Sequence, residues 1–503
     1  MKILLVSPRT PDTFWSFKHA LSFVSKKASL PPLGLLTVAS MLPADWDLKL
    51  VDMNVSPLVD KDIRWADYVF VSAMTIHRAS AVEVISRCNT LGVKVVAGGP
   101  LFTAAHEEFS GVDHFLLGEA EVTMPAFLAD IAAGSPKPLY VADQKADISQ
   151  TPLPMWSLLK MKHYSSMSIQ YSRGCPFDCD FCNVTVLYGH NPRTKSKSQM
   201  IAEIDALYRH GWRGSVFVVD DNFVGNKKKL KAEILPAMIE WSNENNNTFN
   251  FYTQASINLS DDDEMMRLMR DANFDRVFIG IETIDESSLA ECNKHQNQSR
   301  DMVASVKKIQ QHGMEVQGGF IVGFDSDDPA TTFRNQINFI QKSGIVTAMV
   351  GVLNAPIGTH LYRRMKQENR LLSDISGDNT DGSTNIVPKM NRDTLIKGYR
   401  SIIDNIYSPK QYYERVTTFL REYKPKSHLG FTHVQFCHIS AAFKSMWFIG
   451  IKEKGRLYYW KLMFETLLKR PKSIPESVTL AIYGFHFRHV SRKLSNLPAQ
   501  SSA

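Results

Sequence analysis

The run Arg173-Gly174-Cys175-Pro176-Phe177-Asp178-Cys179-Asp180-Phe181-Cys182 places three cysteines in eight residues, with three and then two residues between them. A loop that tight can bring three thiolates onto one face of an iron–sulfur cubane, yet it supplies no fourth ligand. Ferredoxin-type clusters are closed by four thiolates. Three thiolates leave one iron open to a small molecule, much as an open metal position marks a catalytic site. The alternative is zinc, which needs a fourth ligand. Cys88, Cys292 and Cys437 are isolated and far apart in the chain, and His190 is the nearest histidine. The spacing favours the cluster.

The same spacing, with the aromatic Phe181 before the last cysteine, resembles the radical S-adenosylmethionine (SAM) superfamily. The resemblance implies a [4Fe–4S] cluster on Cys175, Cys179 and Cys182. It also implies an open iron that chelates the amino and carboxylate groups of SAM.

Downstream, short apolar runs alternate with helix-length segments. Strands are expected at 168–172, 215–220, 250–255, 276–281, 316–322 and 348–353, with helices such as 198–210 and 261–271 between them. Six such units over 166–395 suit a partial (β/α)6 barrel, whose chemistry sits at the C-terminal strand ends. The conspicuous motifs fall there: Asp220-Asp221-Asn222, Gly280-Ile281-Glu282-Thr283, and Gly318-Gly319-Phe320-Ile321-Val322-Gly323. If SAM is bound, Asp220, Asp221 and Asn222 are candidates to accept from its amino group. Glu282 is a candidate for the ribose hydroxyls. Gly318, Gly319 and Gly323 would let backbone approach the adenosine.

Upstream, residues 1–135 carry expected strands at 2–7, 47–51, 68–73, 93–97 and 114–117, separated by helices such as 33–41 and 79–91. Runs rich in Val, Ile and Leu indicate a doubly wound, Rossmann-like parallel sheet buried on both faces. Its ligands are expected beyond the C-terminal strand ends, where Ser72, Gly98, Gly99, Gly118 and Glu119 gather. With Pro31-Pro32-Leu33-Gly34, these residues resemble the cobalamin-binding domain that precedes many radical SAM domains. One departure matters. Domains that ligate cobalt from below carry Asp-x-His-x-x-Gly, whereas this chain reads Asp52-Met53-Asn54-Val55-Ser56-Pro57. An amide is a poor cobalt ligand beside imidazole, so any bound cobalamin is expected to lack a lower histidine.

Between the two domains, four prolines in residues 136–165 mark a semi-rigid connector. After the barrel comes an extension, 396–503, expected to be helical and basic. Residues 408–503 hold 16 Lys+Arg against 5 Asp+Glu, a balance of +11, so the net +7 of the chain leaves about −4 for residues 1–407. Aromatics interleave there with lysines, as in Trp447-Phe448 beside Lys452 and Tyr458-Tyr459-Trp460 beside Lys461. That mixture suits a helix lying on an anionic bilayer. It also suits a helical cap with a solvated basic face, or, less well, an RNA-binding patch.

No run of 18 apolar residues occurs, and the opening MKILLVSPRT reads as a strand rather than a signal peptide. Six cysteines, half of them in one motif, suit a reducing compartment. A cytoplasmic protein is therefore expected; the bilayer reading of the extension would add peripheral contact on the inner face of the membrane, and the helical-cap reading would not. Along most of its length the chain resembles cobalamin-binding radical SAM proteins of the hopanoid C-2 methylase and anaerobic magnesium-protoporphyrin ester cyclase type. Lys294-His295-Gln296-Asn297 supports that placement. The resemblance implies a 5′-deoxyadenosyl radical acting on an unactivated carbon of a small hydrophobic substrate, with methyl transfer as the outcome. It further implies a flavodoxin- or ferredoxin-like electron donor. A cyclase or C–C coupling enzyme is the alternative outcome, and a cobalamin-binding sensor with an inactive cluster the alternative class.

Overall fold

The computed structural model describes residues 1–372, 375–425 and 436–495. Two parallel six-stranded sheets dominate it. The first comprises β1 (Lys2–Ser7), β2 (Asp47–Asp52), β3 (Tyr68–Ser72), β4 (Lys94–Gly98), β5 (His114–Leu117) and β6 (Leu139–Val141), in the order β2-β1-β3-β4-β5-β6. The order reverses beside β1, as in a doubly wound fold, and apolar clusters cover both faces. Strand β6 is an addition to the expected set. It pairs with β5 from within the proline-rich connector, and three residues behind Pro136 and Pro138 leave too little pattern to read.

The second sheet contains β7 (Met167–Ile169), β10 (Ser215–Val218), β11 (Asn250–Ala255), β12 (Phe274–Glu282), β13 (Glu315–Val322) and β14 (Ala348–Val352), in the order β14-β13-β12-β11-β10-β7. A separate two-stranded antiparallel pair, β8 (Ser172–Arg173) with β9 (Arg193–Thr194), brackets the three-cysteine loop. Strand alternation separates two environments. On β12, Val277, Ile279 and Ile281 are fully buried against the helical layer, while Arg276, Phe278, Gly280 and Glu282 point into the lumen.

The connector is pinned to both domains rather than loose. Trp156 is buried, and Tyr164 donates from its hydroxyl to Asp52 at 2.9 Å. Beyond the barrel, the helices Arg392–Ile406, Pro409–Glu422, Phe436–Trp447, Arg456–Lys469 and Ile474–Ser495 form the extension, as expected. Among the described residues no helix is long and apolar enough to cross a membrane.

Candidate active site

The cysteine loop is fixed from several sides. Gly174 has φ +99°, and a Cβ there would lie 2.9 Å from the Gly189 carbonyl oxygen, so only glycine fits. The Cys175 amide donates to Gly189, and the Asp180 amide donates to the Cys292 carbonyl. The Asn293 amide nitrogen donates to the Asp178 carbonyl. Cys179 is buried, while Cys175 and Cys182 are half-buried. Burial pushes all three thiols up, Cys182 to about 12. The Lys294 ammonium works against that shift at each of them. Iron needs thiolates, so binding the metal and releasing the protons are one event. Among the described residues no three His, Cys, Asp or Glu side chains converge on one ion. A cubane does not ask for that, because each thiolate takes a different iron. His190 is exposed, and its ring lies 3.9 Å from the Asp178 carboxylate in the cysteine loop.

Polar groups ring the loop. The Asn222 amide nitrogen lies 3.9 Å from the Cys175 sulfur, and the Gln296 amide nitrogen 3.8 Å from the Cys179 sulfur. Amide donors to thiolate stabilise its charge, so this donor set fits a three-thiolate cluster. Phe181 packs toward Phe324, at 6.4 Å between rings. Glu282 ends β12 with φ +63° and forms a buried ion pair with Lys294 at 2.7 Å. A Cβ on Gly280 would meet both partners of that pair, at 2.2 and 2.9 Å.

Two expectations for this region need correcting. Asp220 does not face a ligand: it is fully buried and accepts from the Tyr171 amide at 2.8 Å and the Ser172 hydroxyl at 2.5 Å, and so anchors the entry to the cysteine loop. Burial pushes its carboxyl up to about 7. Gly318 does not face the lumen. A Cβ there would meet the Phe320 ring at 2.8 Å and Ile345 at 3.2 Å, within the layer between sheet and helices. Asp221, whose carboxyl burial raises to about 6, and Asn222 remain beside the cysteines. Gly319 lies on the lumen side under Phe278, and Gly323 sits in a turn whose amide donates to Asp327 at 2.7 Å.

At the strand ends of the first sheet, Gly99 opens a helix with φ +92°, and a Cβ there would stand 2.8 Å from the Ser72 hydroxyl. Gly98 and Gly118 lie beside it on β4 and after β5, close to Leu116 and Ala142 respectively. Glu119 departs from its expected role at the edge of a cofactor. Its carboxylate accepts from Arg173 at 2.8 Å, Arg193 at 3.0 Å and the Ala146 amide at 2.9 Å. Arg173 also binds Glu121, at 2.7 Å. The first domain is thereby clamped to the strand that launches the cysteine loop. Sequence reasoning missed Arg173, Arg193 and Glu121, because their pairings span 52 to 74 residues.

Below the first sheet's strand ends, Asn54 is already satisfied. It accepts from the Thr10 amide at 2.8 Å and donates to Asp52 at 2.8 Å. His77, the nearest imidazole candidate, is buried beside the Thr10 hydroxyl at 3.1 Å, and burial lowers its pKa to about 4. Aromatic side chains line part of the barrel lumen, with Arg276 over the Tyr252 ring at 4.6 Å. Phe217 stacks on Tyr252 at 4.8 Å, and Trp15 from the N-terminal segment lies edge-on to Phe278 at 5.4 Å. The Trp15 indole N–H donates to the Met349 sulfur at 2.9 Å.

Comparison with known proteins bears on all of these parts. Residues 23–128 match the B12 binding domain, 169–333 the Radical SAM superfamily, and 359–498 a domain of unknown function, DUF4070. An uncharacterized methyltransferase of Synechocystis sp. is 38% identical over 97% of this chain and 91% of its own length. The hopanoid C-2 methylase of Rhodopseudomonas palustris is 30% identical over 100% of this chain and 95% of its own length. Among solved structures, the cobalamin-dependent SAM radical enzyme OxsB, with aqua-cobalamin and SAM bound, superposes with a TM-score of 0.63 at 14% identity. That superposition covers 98% of this chain and 79% of OxsB.

Proposed function

Because this chain belongs to the cobalamin-dependent radical SAM methyltransferase family that includes hopanoid C-2 methylase, we propose that it methylates an unactivated carbon of a small, hydrophobic, lipid-like substrate held in the barrel lumen. The family membership makes it a radical SAM C-methyltransferase that uses a [4Fe–4S] cluster, SAM and cobalamin. When bound, the cluster delivers the electron that cleaves SAM reductively, and cobalamin carries the methyl group; such chemistry belongs to cofactors, not to side chains.

The chain's own residues hold, orient and exclude. Cys175, Cys179 and Cys182 would hold three irons, with the Asn222 and Gln296 amides and the Lys294 ammonium easing their charge. Asp221 remains as an acceptor for the amino group of SAM, whereas the Asn222 oxygen already accepts from the Ser256 amide at 3.2 Å, which leaves Asn222 its donor role toward Cys175. Glu282, oriented by Lys294, retains a second carboxylate oxygen for a hydroxyl donor. Ser72, Gly98, Gly99 and Gly118 would border the cobalamin, and Asn54, bonded to Thr10 and Asp52, stands where cobalt-ligating domains carry a histidine. The Glu119–Arg173–Glu121 clamp sets the first domain against the loop that would carry the cluster, and so would hold the two cofactor-binding parts in a fixed relation. An external flavodoxin- or ferredoxin-like protein would supply electrons.

The observation that carries the substrate class is the lumen wall of Phe217, Tyr252, Phe278, Met349 and Trp15, which favours an apolar guest. The test is anaerobic reconstitution with methyl-deuterated SAM and a lipid extract, followed by mass spectrometry. A lipid gaining one labelled methyl, together with 5′-deoxyadenosine, is expected. Label appearing only in polar metabolites would overturn the substrate class.

A further inference from the structure

Eleven of the 23 large apolar side chains exposed among the described residues fall within residues 439–468. They are not scattered. On the helix Phe436–Trp447, Ile439, Phe443 and Trp447 recur at four-residue spacing; on Arg456–Lys469, Leu457, Phe464 and Leu468 do so at seven and four. Such spacing makes a continuous stripe on one helix face. Phe443 is 67% exposed, Leu457 77% and Leu468 82%. The two helices form a hairpin, tied by the Ser445–Tyr459 hydroxyl pair at 2.9 Å. Both pack by their other faces on Ile474–Ser495. Both stripes are therefore left exposed. A soluble surface seldom leaves so large an apolar area bare without a partner.

Charge identifies the partner. Residues 436–473 contain eight Lys+Arg and two Glu. One of those acids, Glu453, is buried against Arg488. Lys452, Lys454, Lys461 and Lys469 are exposed around the stripes, and the Lys452 ammonium sits 5.4 Å from both the Trp447 and the Phe448 ring. An apolar face rimmed by cations and aromatics matches the boundary between acyl chains and anionic headgroups.

The hairpin is also continuous with the lumen. Phe448 meets Phe23 at 5.9 Å, and Phe23 meets Phe485 at 5.3 Å. Further along the same N-terminal segment and the same final helix, Phe17 meets Tyr483 at 4.9 Å and Trp15 at 6.2 Å, and Trp15 meets Phe278 inside the barrel. Lys444 holds this segment by donating to the Ser22 and Phe23 carbonyls.

From these observations we infer that the 436–469 hairpin docks the enzyme on an anionic lipid bilayer, and that the aromatic segment behind it connects that surface with the lumen. The inference rests on the reading of a hydrophobic substrate. Vesicle binding is measured without turnover, however, so either can fail alone.

The experiment is co-sedimentation of the full-length protein with vesicles of phosphatidylcholine alone and of phosphatidylcholine with about 30% phosphatidylglycerol. Binding is expected to the anionic vesicles and to be released at a few hundred millimolar salt, where exposed charges are screened within a few ångströms. Trp447→Ser/Leu457→Ser/Leu468→Ser should lower affinity at least tenfold by removing inserted apolar area. Lys452→Gln/Lys454→Gln/Lys461→Gln/Lys469→Gln should lower it about fivefold per charge that reaches the headgroups. All these side chains are exposed, so circular dichroism should report an unchanged fold. The inference is overturned if the wild type ignores both vesicles, if the serine variant binds as well as wild type, or if that variant instead converts a dimer to a monomer.

Discussion

Glu119→Ala probes the joint between the two domains. Glu119 is 5% exposed, and its carboxylate takes three donors: two guanidiniums from the barrel side and the Ala146 amide. The side chains of Arg173 and Arg193 are themselves 12% and 18% exposed. Water cannot replace the lost carboxylate freely, so the cost belongs to the buried regime. Exposed pairs contribute about 0–1 kcal/mol, whereas removing one partner of a buried pair costs about 3–5 kcal/mol. Arg173 keeps Glu121, and Arg193 keeps only the Ala146 and Tyr188 carbonyls, so Arg193 bears most of the loss. Glu119→Gln retains the shape and one acceptor oxygen and should cost less, about 1.5–3 kcal/mol. Urea unfolding followed by tryptophan fluorescence measures both values. Protease cleavage within residues 136–165 should accelerate in the alanine variant, because the Ala146 amide loses its acceptor and the connector is held there by the Arg193 bond to its carbonyl alone. An alanine variant that unfolds within 1 kcal/mol of wild type with an equally protected connector would refute the clamp. Acid supplies a second check. Burial alone would raise the Glu121 carboxyl, but the Arg173 hydrogen bonds and charge bring it below its ordinary value. Its contribution is therefore present above the unfolded value, about 4.3, and is lost as pH falls through the lower folded one. The wild-type joint should loosen in that window.

Alanine at Cys175, Cys179 or Cys182 should abolish the absorbance of the reconstituted cluster and 5′-deoxyadenosine formation. Alanine at Cys88 or Cys292 should preserve both, and a Cys179 variant that still cleaves SAM would sink the ligand assignment. Bound Co(II) cobalamin should show no splitting from a protein imidazole in its electron paramagnetic resonance spectrum, since Asn54 is hydrogen-bonded to Asp52 and His77 is buried beside Thr10; clear nitrogen splitting would contradict this. Gly280→Ala would place a methyl 2.2 Å from the Glu282 carboxylate, so the Glu282–Lys294 pair must shift. SAM affinity of the reconstituted protein, measured by calorimetry, should fall at least tenfold, with a stability cost of about 1–3 kcal/mol; unchanged affinity would remove Glu282 from the site.

The strands of both sheets were legible because parallel strands buried on two faces read as unbroken apolar runs, and Lys2–Ser7, Asn250–Ala255 and His114–Leu117 appear where the pattern puts them. The first barrel strand was not. Ser168–Ser172 divides into β7 and β8, because the Tyr171 amide turns away from the sheet to donate to Asp220. That one hydrogen bond explains two misreadings: it shortens the strand and it takes Asp220 out of the pool of free ligands. Glu119 fails for a related reason. A carboxylate at a strand end looks the same in sequence whether it meets a ligand or an arginine 54 residues away. Spacing motifs such as Cys175–Cys182 survive because the loop that makes them is local.

The extension misleads in the opposite direction. A helix apolar on every side ordinarily reads as buried, and neither 436–447 nor 456–469 offers a clean polar face. Packing resolves the ambiguity that periodicity leaves. One apolar face of each helix is taken by Ile474–Ser495, where Ala441, Tyr459 and Leu462 are buried, and the other face has no occupant among the described residues. The lysines then acquire a meaning that net charge alone did not give them. They rim an apolar surface rather than cover a polar one, and the same aromatic segment that backs this surface ends in the lumen at Trp15. A substrate too apolar to diffuse freely through water would be met where it resides, and the enzyme would need no carrier to deliver it.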